Sequence, residues 1–381
     1  MKILFVCPTD PRETSYGGQQ RTHVIWKGLR SVGEVWTVVP VPHKWQEERD
    51  EQNRICKLCL ERRYSLGWFA QRLLVRFIPY WNCSWAYDWK RLHRQFADVD
   101  VVVARYIKMA AAFELWKLAP LYVDGDDIHT LEFDLHTKEV GNSLKRRIQR
   151  ALLGHFQDTI YRKARLIWVP AREQIGLLPQ YLFAYLPNIP CGDMPDYSKT
   201  LGDEDTLFFV GLMSSEPNQI AVDWFLKSFW NQLKVDFPAM RLLVVGGGLP
   251  ESYRVAWARF ADVEILGFQK DILSHYRNSL ALVTPMQIGM GSCIKVLESL
   301  AVGRCVLSTG QGLRGIRVPE RIQENGIFEF GDYEALRTAL QSLRESACRS
   351  AAQQGAVRFV RKQFSCDELY GLLRRDLCHE E

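Results

Sequence analysis

The chain has 381 residues, of which 47% are hydrophobic, and a net charge of +5; this length exceeds a usual single domain, so two domains with separate cores are expected. No run of eighteen apolar residues occurs, and charges and prolines follow the opening MKILFVCP within a few residues. A membrane-spanning or exported chain is therefore not expected, and the expectation is a cytoplasmic protein whose first residues form a strand. Ten cysteines are scattered, and the one C-x-x-C, Cys56 to Cys59, has no second pair at zinc spacing, so free thiols in a reducing compartment are expected.

Short apolar runs predict strands at Lys2–Cys7, Val35–Val41, Val99–Ala104, Leu121–Asp124 and Leu166–Val169, with helical patterns at Gln19–Ser31, Tyr87–Phe96 and Leu144–Lys163 between them. A PNIP turn at Pro187–Pro190 leads into the polar stretch Cys191–Asp205, which has the composition of a linker. Strands then resume at Thr206–Val210, Arg241–Val245, Val263–Leu266, Leu280–Thr284 and from Cys305, with a helix at Asn218–Val235 and a basic amphipathic tail at Gln354–Leu377. Strands alternating with helices imply parallel sheets covered on both faces. The expected class is α/β, with two Rossmann-like doubly wound domains (1–190 and 206–355) facing across a cleft, a linker at 191–205 and a C-terminal helix at 356–381.

From Arg54 to Arg94 the sequence holds nine Lys or Arg against two acids, mixed with Trp68, Phe69, Trp81 and Trp85. Two readings fit: a pair of amphipathic helices on the first domain, or contact with an anionic membrane surface, with rings at headgroup depth and cations at the phosphates. No nucleic-acid motif is present, so nucleic acid is not an expected partner.

The densest chemical signal is PMQIGMGSCIKVLESLAVGRCVLSTGQGLRGI, Pro285 to Ile316. A glycine turn at Gly289 and Gly291 feeds an apolar helix, so the free N–H groups around Ser292 to Ile294 are expected to face outward as an anion cradle. Lys295 and Glu298, three apart, share a helical face and suit a diphosphate beside a sugar diol. A helix cap with a surface ion pair has the same spacing. Gly246 to Gly248 follow a strand without the spaced G-x-G-x-x-G of dinucleotide binding. Asp124, Asp126, Asp127 and His129 cluster after the strand at 121–124, but the set is incomplete for a metal and none is expected.

The Pro285–Ile316 segment resembles the donor-site motif of the GT-B glycosyltransferases, in particular glycosyltransferase family four, which often reads G-x-G-[ST]-x-x-K-x-L-E-[AS]-L-A-x-G-x-x-V-x-[ST]-T. The resemblance continues through FFVGLMSSEPN (Phe208 to Asn218), LLVVGGG (Leu242 to Gly248), VEILGF (Val263 to Phe268) and the N-terminal KILFVCP with Gly17 and Gly18. It implies transfer of a sugar from a nucleotide-diphosphate sugar to a hydroxyl, with retention and no divalent ion, in polysaccharide or glycoconjugate synthesis. The first domain would bind a saccharide or lipid-linked acceptor, the second the donor, and the last helix would cross back onto the first domain; association with the inner face of the membrane fits such an acceptor.

By the same resemblance the donor is held by Gly17, Gly18, Gly211, Gly267, Phe268, Gly291 and Ser292, with Lys295 and Arg314 at the diphosphate and Glu298 at the ribose. Lys295 would stabilise the leaving diphosphate. From the residues themselves, Arg21 and His23 in the first turns after Gly17 and Gly18 read as acceptor contacts or as a solvated helix start, and Asp127 and His129 as groups that meet, orient and deprotonate the acceptor hydroxyl, with an N-cap at Asp126 or Asp127 as the other reading. Two departures stand out. Met290 occupies the position, eight before Glu298, where many members carry a sugar-binding glutamate, and Leu212 to Asn218 lack the usual basic pair. A nucleotide-sugar epimerase of the same fold and a non-catalytic GT-B module that binds sugar or a partner therefore remain alternatives.

Overall fold

The computed structural model describes residues 1–41, 48–59, 89–140, 143–289, 291–316 and 323–378. The chain divides into two units: Met1–Pro187 joined by the tail from Leu369, and Asn188–Glu368.

The first unit carries β1 (Lys2–Val6), β2 (Glu34–Val41), β3 (Glu48–Asp50), β4 (Ile55–Cys59), β5 (Val101–Arg105), β6 (Leu121–Asp124), β7 (Ala164–Val169) and β8 (Phe183–Tyr185). Among the described residues they form one sheet in the order β3-β4-β2-β1-β5-β6-β7-β8, parallel except for β3 against β4. Strand order reverses between β1 and β5, the point in such sheets where loops part and ligands bind. β1 is buried from Ile3 to Val6 and β5 throughout, which is why both read as unbroken apolar runs rather than as alternation.

The tail completes this unit. Leu369, Leu373 and Leu377 recur every fourth residue along helix Cys366–Cys378 and are all buried; each contributes about 1.5–3 kcal/mol by leaving water. Gly28 of helix Gly17–Val32 has no room for a side chain, because a Cβ there would lie 2.5 Å from Leu373 and 2.8 Å from Tyr370. Trp168 Nε1 donates to Asp376 at 2.8 Å.

The second unit holds β9 (Thr206–Val210), β10 (Arg241–Val245), β11 (Val263–Gly267), β12 (Ala281–Thr284), β13 (Cys305–Ser308) and β14 (Ile327–Glu329), in the order β11-β10-β9-β12-β13-β14 with every pairing parallel. Its reversal lies between β9 and β12. Phe225, Phe229 and Phe330 pack edge to face on one side of this sheet, with Trp230 tilted against Phe225, an arrangement that adds to their burial. The polar stretch 191–205 is bound to the same unit: Tyr197 N donates to Val302 O, and Ser198 fills the space that a Cβ on Gly303 would need.

Two expectations need correction. Ile55–Cys59, read as the start of an amphipathic helix, is strand β4, because Ile55, Cys56 and Leu58 are buried beside β2. The membrane-directed reading of 54–94 otherwise falls largely on 60–88, outside the described residues. The helix expected at Asn218–Val235 runs as Glu216–Phe225, a π-helical turn at Leu226–Trp230, and Asn231–Asp236. Among the described residues no helix is long and apolar enough to cross a membrane, eight cysteines are free thiols, and no group of three or more His, Cys, Asp or Glu is placed to hold a metal ion.

Candidate functional site

In the second unit the site is built on the loops that leave β9 and β12. Gly211 follows β9, and a Cβ there would sit 2.7 Å from Asn218 Nδ2 and 2.9 Å from Lys295 Nζ. Only glycine lets both side chains close over the strand end. Lys295 Nζ donates to Asn218 Oδ1 at 2.7 Å, and Asn218 Nδ2 donates to Leu212 O at 2.9 Å. The ammonium also lies 4.2 Å from the centroid of the buried Phe209 ring, an attraction to the ring face. Among the described residues no carboxylate comes within ion-pair distance of Lys295. Burial pushes its pKa down to about 8, against the pull of Cys293 and Glu298.

Glu298, one turn on, accepts a hydrogen bond from Tyr276 Oη at 3.2 Å. Tyr276 is 1% exposed, and burial together with Glu298 keeps its hydroxyl protonated far above the usual range. The helix begins at Ile294 rather than at Ser292, so Gly291 and Ser292 lie in the approach to it, and Met290 is outside the described residues. Its cap, Cys293, makes no side-chain capping bond. Ser292 is tied instead to Asn188, whose Nδ2 donates to Ser292 Oγ at 2.8 Å.

Arg314, expected at the diphosphate, braces the loop: its Nη2 donates to Gly291 O at 2.8 Å, while Gln311 Nε2 donates to Gly289 O at 2.9 Å. Gly289 has φ +124°, and a Cβ there would lie 2.9 Å from Arg314 Nη2, so both strain and space demand glycine. At the end of β11, Gly267 (φ +67°) has open space where a Cβ would be, and Phe268 is 72% exposed, which rules out an ordinary buried aromatic. Gly246 (φ +142°) presses on Gly211 O, packing the β9 and β10 loops backbone to backbone.

In the first unit, Gly17 and Gly18 open helix Gly17–Val32 beside the strand reversal, with Tyr106 Oη 3.2 Å from where a Gly18 Cβ would stand. Arg21 is corrected. It is 2% exposed; its Nη2 donates to Asp124 Oδ1 at 2.6 Å and its Nε to the same carboxylate at 3.1 Å, while Nη2 also reaches Leu186 O and Nη1 reaches Pro187 O. The fully buried Arg105 donates to Asp124 Oδ2 at 2.6 Å, Asp126 Oδ2 at 2.8 Å and Tyr106 Oη at 2.9 Å. Two guanidiniums and two carboxylates cancel in the core, so Arg21 belongs to this internal network and not to an acceptor surface. Burial alone would raise the Asp126 pKa; Arg105 and Arg21 outweigh it and hold the carboxyl below its ordinary value. Asp126 (φ +58°) and Tyr106 (φ +72°) hold strained backbone at the two strand ends.

His23 binds Pro11 O through Nδ1 at 2.8 Å. Asp127 N donates to Gly125 O at 2.7 Å, turning the chain into helix His129–Val140. His129 Nδ1 lies 3.7 Å from Glu132, and its Nε2 is buried with no hydrogen-bond partner among the described residues. Sequence reading missed Asn218, Phe209 and Tyr276. Position was the available signal for Asn218, seven residues beyond Gly211 in the first turn of the helix that follows β9.

Residues 204–346 match the family model described as Glycosyl transferases group 1. No curated protein matches the sequence. Among solved structures, sucrose-phosphate synthase from Thermosynechococcus elongatus is similar at 14% identity and TM-score 0.69, with 99% of each chain covered. WaaG, a glycosyltransferase involved in lipopolysaccharide biosynthesis, is similar at 15% identity and TM-score 0.62, with 98% of each covered. HepE from Anabaena is similar at 15% identity and TM-score 0.63, over 99% of this chain and 100% of that one; its structures include complexes with UDP, with UDP and glucose, and with UDP-glucose. With two parallel sheets, each reversing its strand order once, this chain has the GT-B fold of these glycosyltransferases, and its second unit matches the group 1 family over residues 204–346.

Proposed function

We propose that the protein is a glycosyltransferase that moves a hexose from a nucleotide-diphosphate sugar to a hydroxyl acceptor, with retention of configuration, in the assembly of a polysaccharide or other glycoconjugate. The observation that carries this reading is the Lys295 ammonium, held at the reversal point of the second sheet by Asn218, with no carboxylate paired to it among the described residues. Negative charge grows on the leaving diphosphate as the glycosidic bond stretches, and a fixed cation that needs no reorganisation lowers that barrier. Lys295 supplies the cation, and the N–H groups at Gly291 and Ser292 assist it. Glu298, steadied by Tyr276, receives the ribose hydroxyls, and the exposed Phe268 flanks the base. Lys295 and the main chain carry the phosphate charge without a divalent ion, so EDTA leaves turnover unchanged.

Asp127 and His129 orient and deprotonate the acceptor hydroxyl; the buried Nε2 of His129, which has no hydrogen-bond partner among the described residues, supports that role. The acceptor is a saccharide or a lipid-linked saccharide, met by a cytoplasmic enzyme peripheral to the membrane. Support for a membrane surface comes from helix Leu144–Tyr161, which exposes Leu144 (73%) and Ile148 (51%) beside Lys145, Arg146 and Arg147.

The test is thermal-shift and calorimetric binding of UDP, GDP, CMP, ADP and dTDP to the whole protein. Stabilisation by one diphosphate identifies the donor class, since a ligand bound by the folded state alone raises stability. Silence from every nucleotide transfers the weight to a non-catalytic sugar- or partner-binding module. Donor turnover that yields an inverted sugar nucleotide and no transfer product indicates an epimerase.

A further inference from the structure

We propose that Asn218 is the positioning residue of the donor site: its neutral carbonyl fixes the Lys295 ammonium over the end of β9 while leaving the full positive charge for the diphosphate of a nucleoside diphosphate. The inference rests on the reading of Lys295 given under Proposed function.

A lysine reaches its target on four flexible carbons and normally samples many rotamers. Here three contacts restrict it. Asn218 Oδ1 accepts from Nζ at 2.7 Å, the Phe209 ring lies 4.2 Å below, and the absent side chain of Gly211 leaves a slot that a methyl group would fill. The Asn218 amide is itself oriented, because its Nδ2 donates to Leu212 O at 2.9 Å, which turns the oxygen and not the NH2 toward the lysine. Asn218 opens the helix after β9 and Lys295 the helix after β12, so this one bond ties together the two connections that part at the reversal of strand order.

Neutrality is the point of the arrangement. A carboxylate at position 218 would hold the ammonium in the same place and cancel its charge. The amide keeps the placement, occupies one of three N–H donors and leaves the others for phosphate oxygens. Among the described residues the groups that face the ammonium are Phe209 of β9, Gly211 and Asn218 from the segment that follows it, and Cys293 and Glu298 from the residue before its own helix and from that helix.

The experiment is calorimetric titration of the full chain with UDP at pH 7 and pH 9, for the parent, Lys295→Ala, Asn218→Ala and the near-isosteric Asn218→Asp. Lys295→Ala is expected to weaken UDP about a hundredfold and Asn218→Ala about tenfold, the usual scale for losing a charged contact and its support. Asn218→Asp is expected to lose more than Asn218→Ala despite preserving shape, and its affinity is expected to fall less between pH 7 and pH 9, because a carboxylate keeps the lysine protonated. A merely structural asparagine would show neither the order of the two losses nor the altered pH profile. Parent-like binding in both Asn218 variants, with Lys295→Ala weakened, would overturn this inference and leave the donor-site reading standing. Equal losses in the two variants would overturn the charge argument. A parent protein that binds no nucleoside diphosphate at all would remove both.

Discussion

Buried Tyr276 donates its hydroxyl to Glu298 Oε2 at 3.2 Å, so the carboxylate that the donor ribose would meet is held from behind by a residue from another helix. Glu298→Ala is expected to weaken UDP binding by about 1–3 kcal/mol without unfolding the protein, and Tyr276→Phe by about 1 kcal/mol, the difference between losing a charged acceptor and losing its support. Calorimetry on both variants checks this, and an unchanged affinity for Glu298→Ala would remove Glu298 from the site.

Gly211→Ala places a methyl group within 3 Å of both Asn218 Nδ2 and Lys295 Nζ. Both atoms end flexible side chains, so the fold adjusts while the ammonium is displaced. The expected result is a melting temperature close to the parent's together with a loss of UDP affinity of about tenfold, in line with losing one charged contact. A large drop in melting temperature with intact binding would contradict it.

The depressed lysine gives two pH effects of opposite sense. Lys295 holds its proton up to about pH 8 when folded and to about 10.4 when unfolded. Between those values the unfolded state binds more protons, so this group's contribution to stability rises with pH. Diphosphate binding needs the charged form, so affinity falls as pH climbs through about 8. Lys295→Met is therefore expected to melt above the parent at pH 7 and to bind UDP weakly at every pH. Melting curves and titrations from pH 6 to 9.5 decide the matter; a parent affinity flat across that range would count against Lys295 as the phosphate cation.

Arg21 and Asp124 form an ion pair at 2% and 0% exposure. Removing one partner from such a pair leaves an uncompensated buried charge, at a cost of about 3–5 kcal/mol. Arg21→Met is expected to lose that much in urea unfolding of the first unit, while UDP binding by the folded protein persists. If Arg21→Met kept full stability and lost acceptor turnover, Arg21 would return to the acceptor site.

Most of the sheet of the second unit was legible: the strands at Thr206–Val210 and Arg241–Val245 were read at their observed limits and those at Val263–Gly267 and Ala281–Thr284 within one residue, while the edge strand Ile327–Glu329 was not read. Short apolar runs between glycine turns leave little ambiguity of period. The placement of Lys295 and Glu298 on one helix was equally readable, since both lie within one turn. What was not readable depends on distant neighbours. Arg21 resembled a solvated helix start because its partner Asp124 lies 103 positions away. Asn218 carries no charge, and only the folded chain brings it to Lys295, 77 positions on. Ile55–Cys59 adjoined a basic aromatic tract that concealed a strand with three buried positions.

The helix Cys366–Cys378 packs on Gly28 and bonds Trp168 through Asp376, so the first unit is discontinuous in sequence and the second is not. A ribosome adding about 5–20 residues per second needs on the order of ten seconds or more to pass from the last residue of the first segment to this helix. During that interval the first sheet exists without its final cover, and the groove over Gly28 stands open. The second unit, although synthesised later, is the first whose whole sequence is available to it. Nascent chains therefore complete their domains in reverse order, and a chain cut short near Leu369 leaves its earliest-made half unfinished.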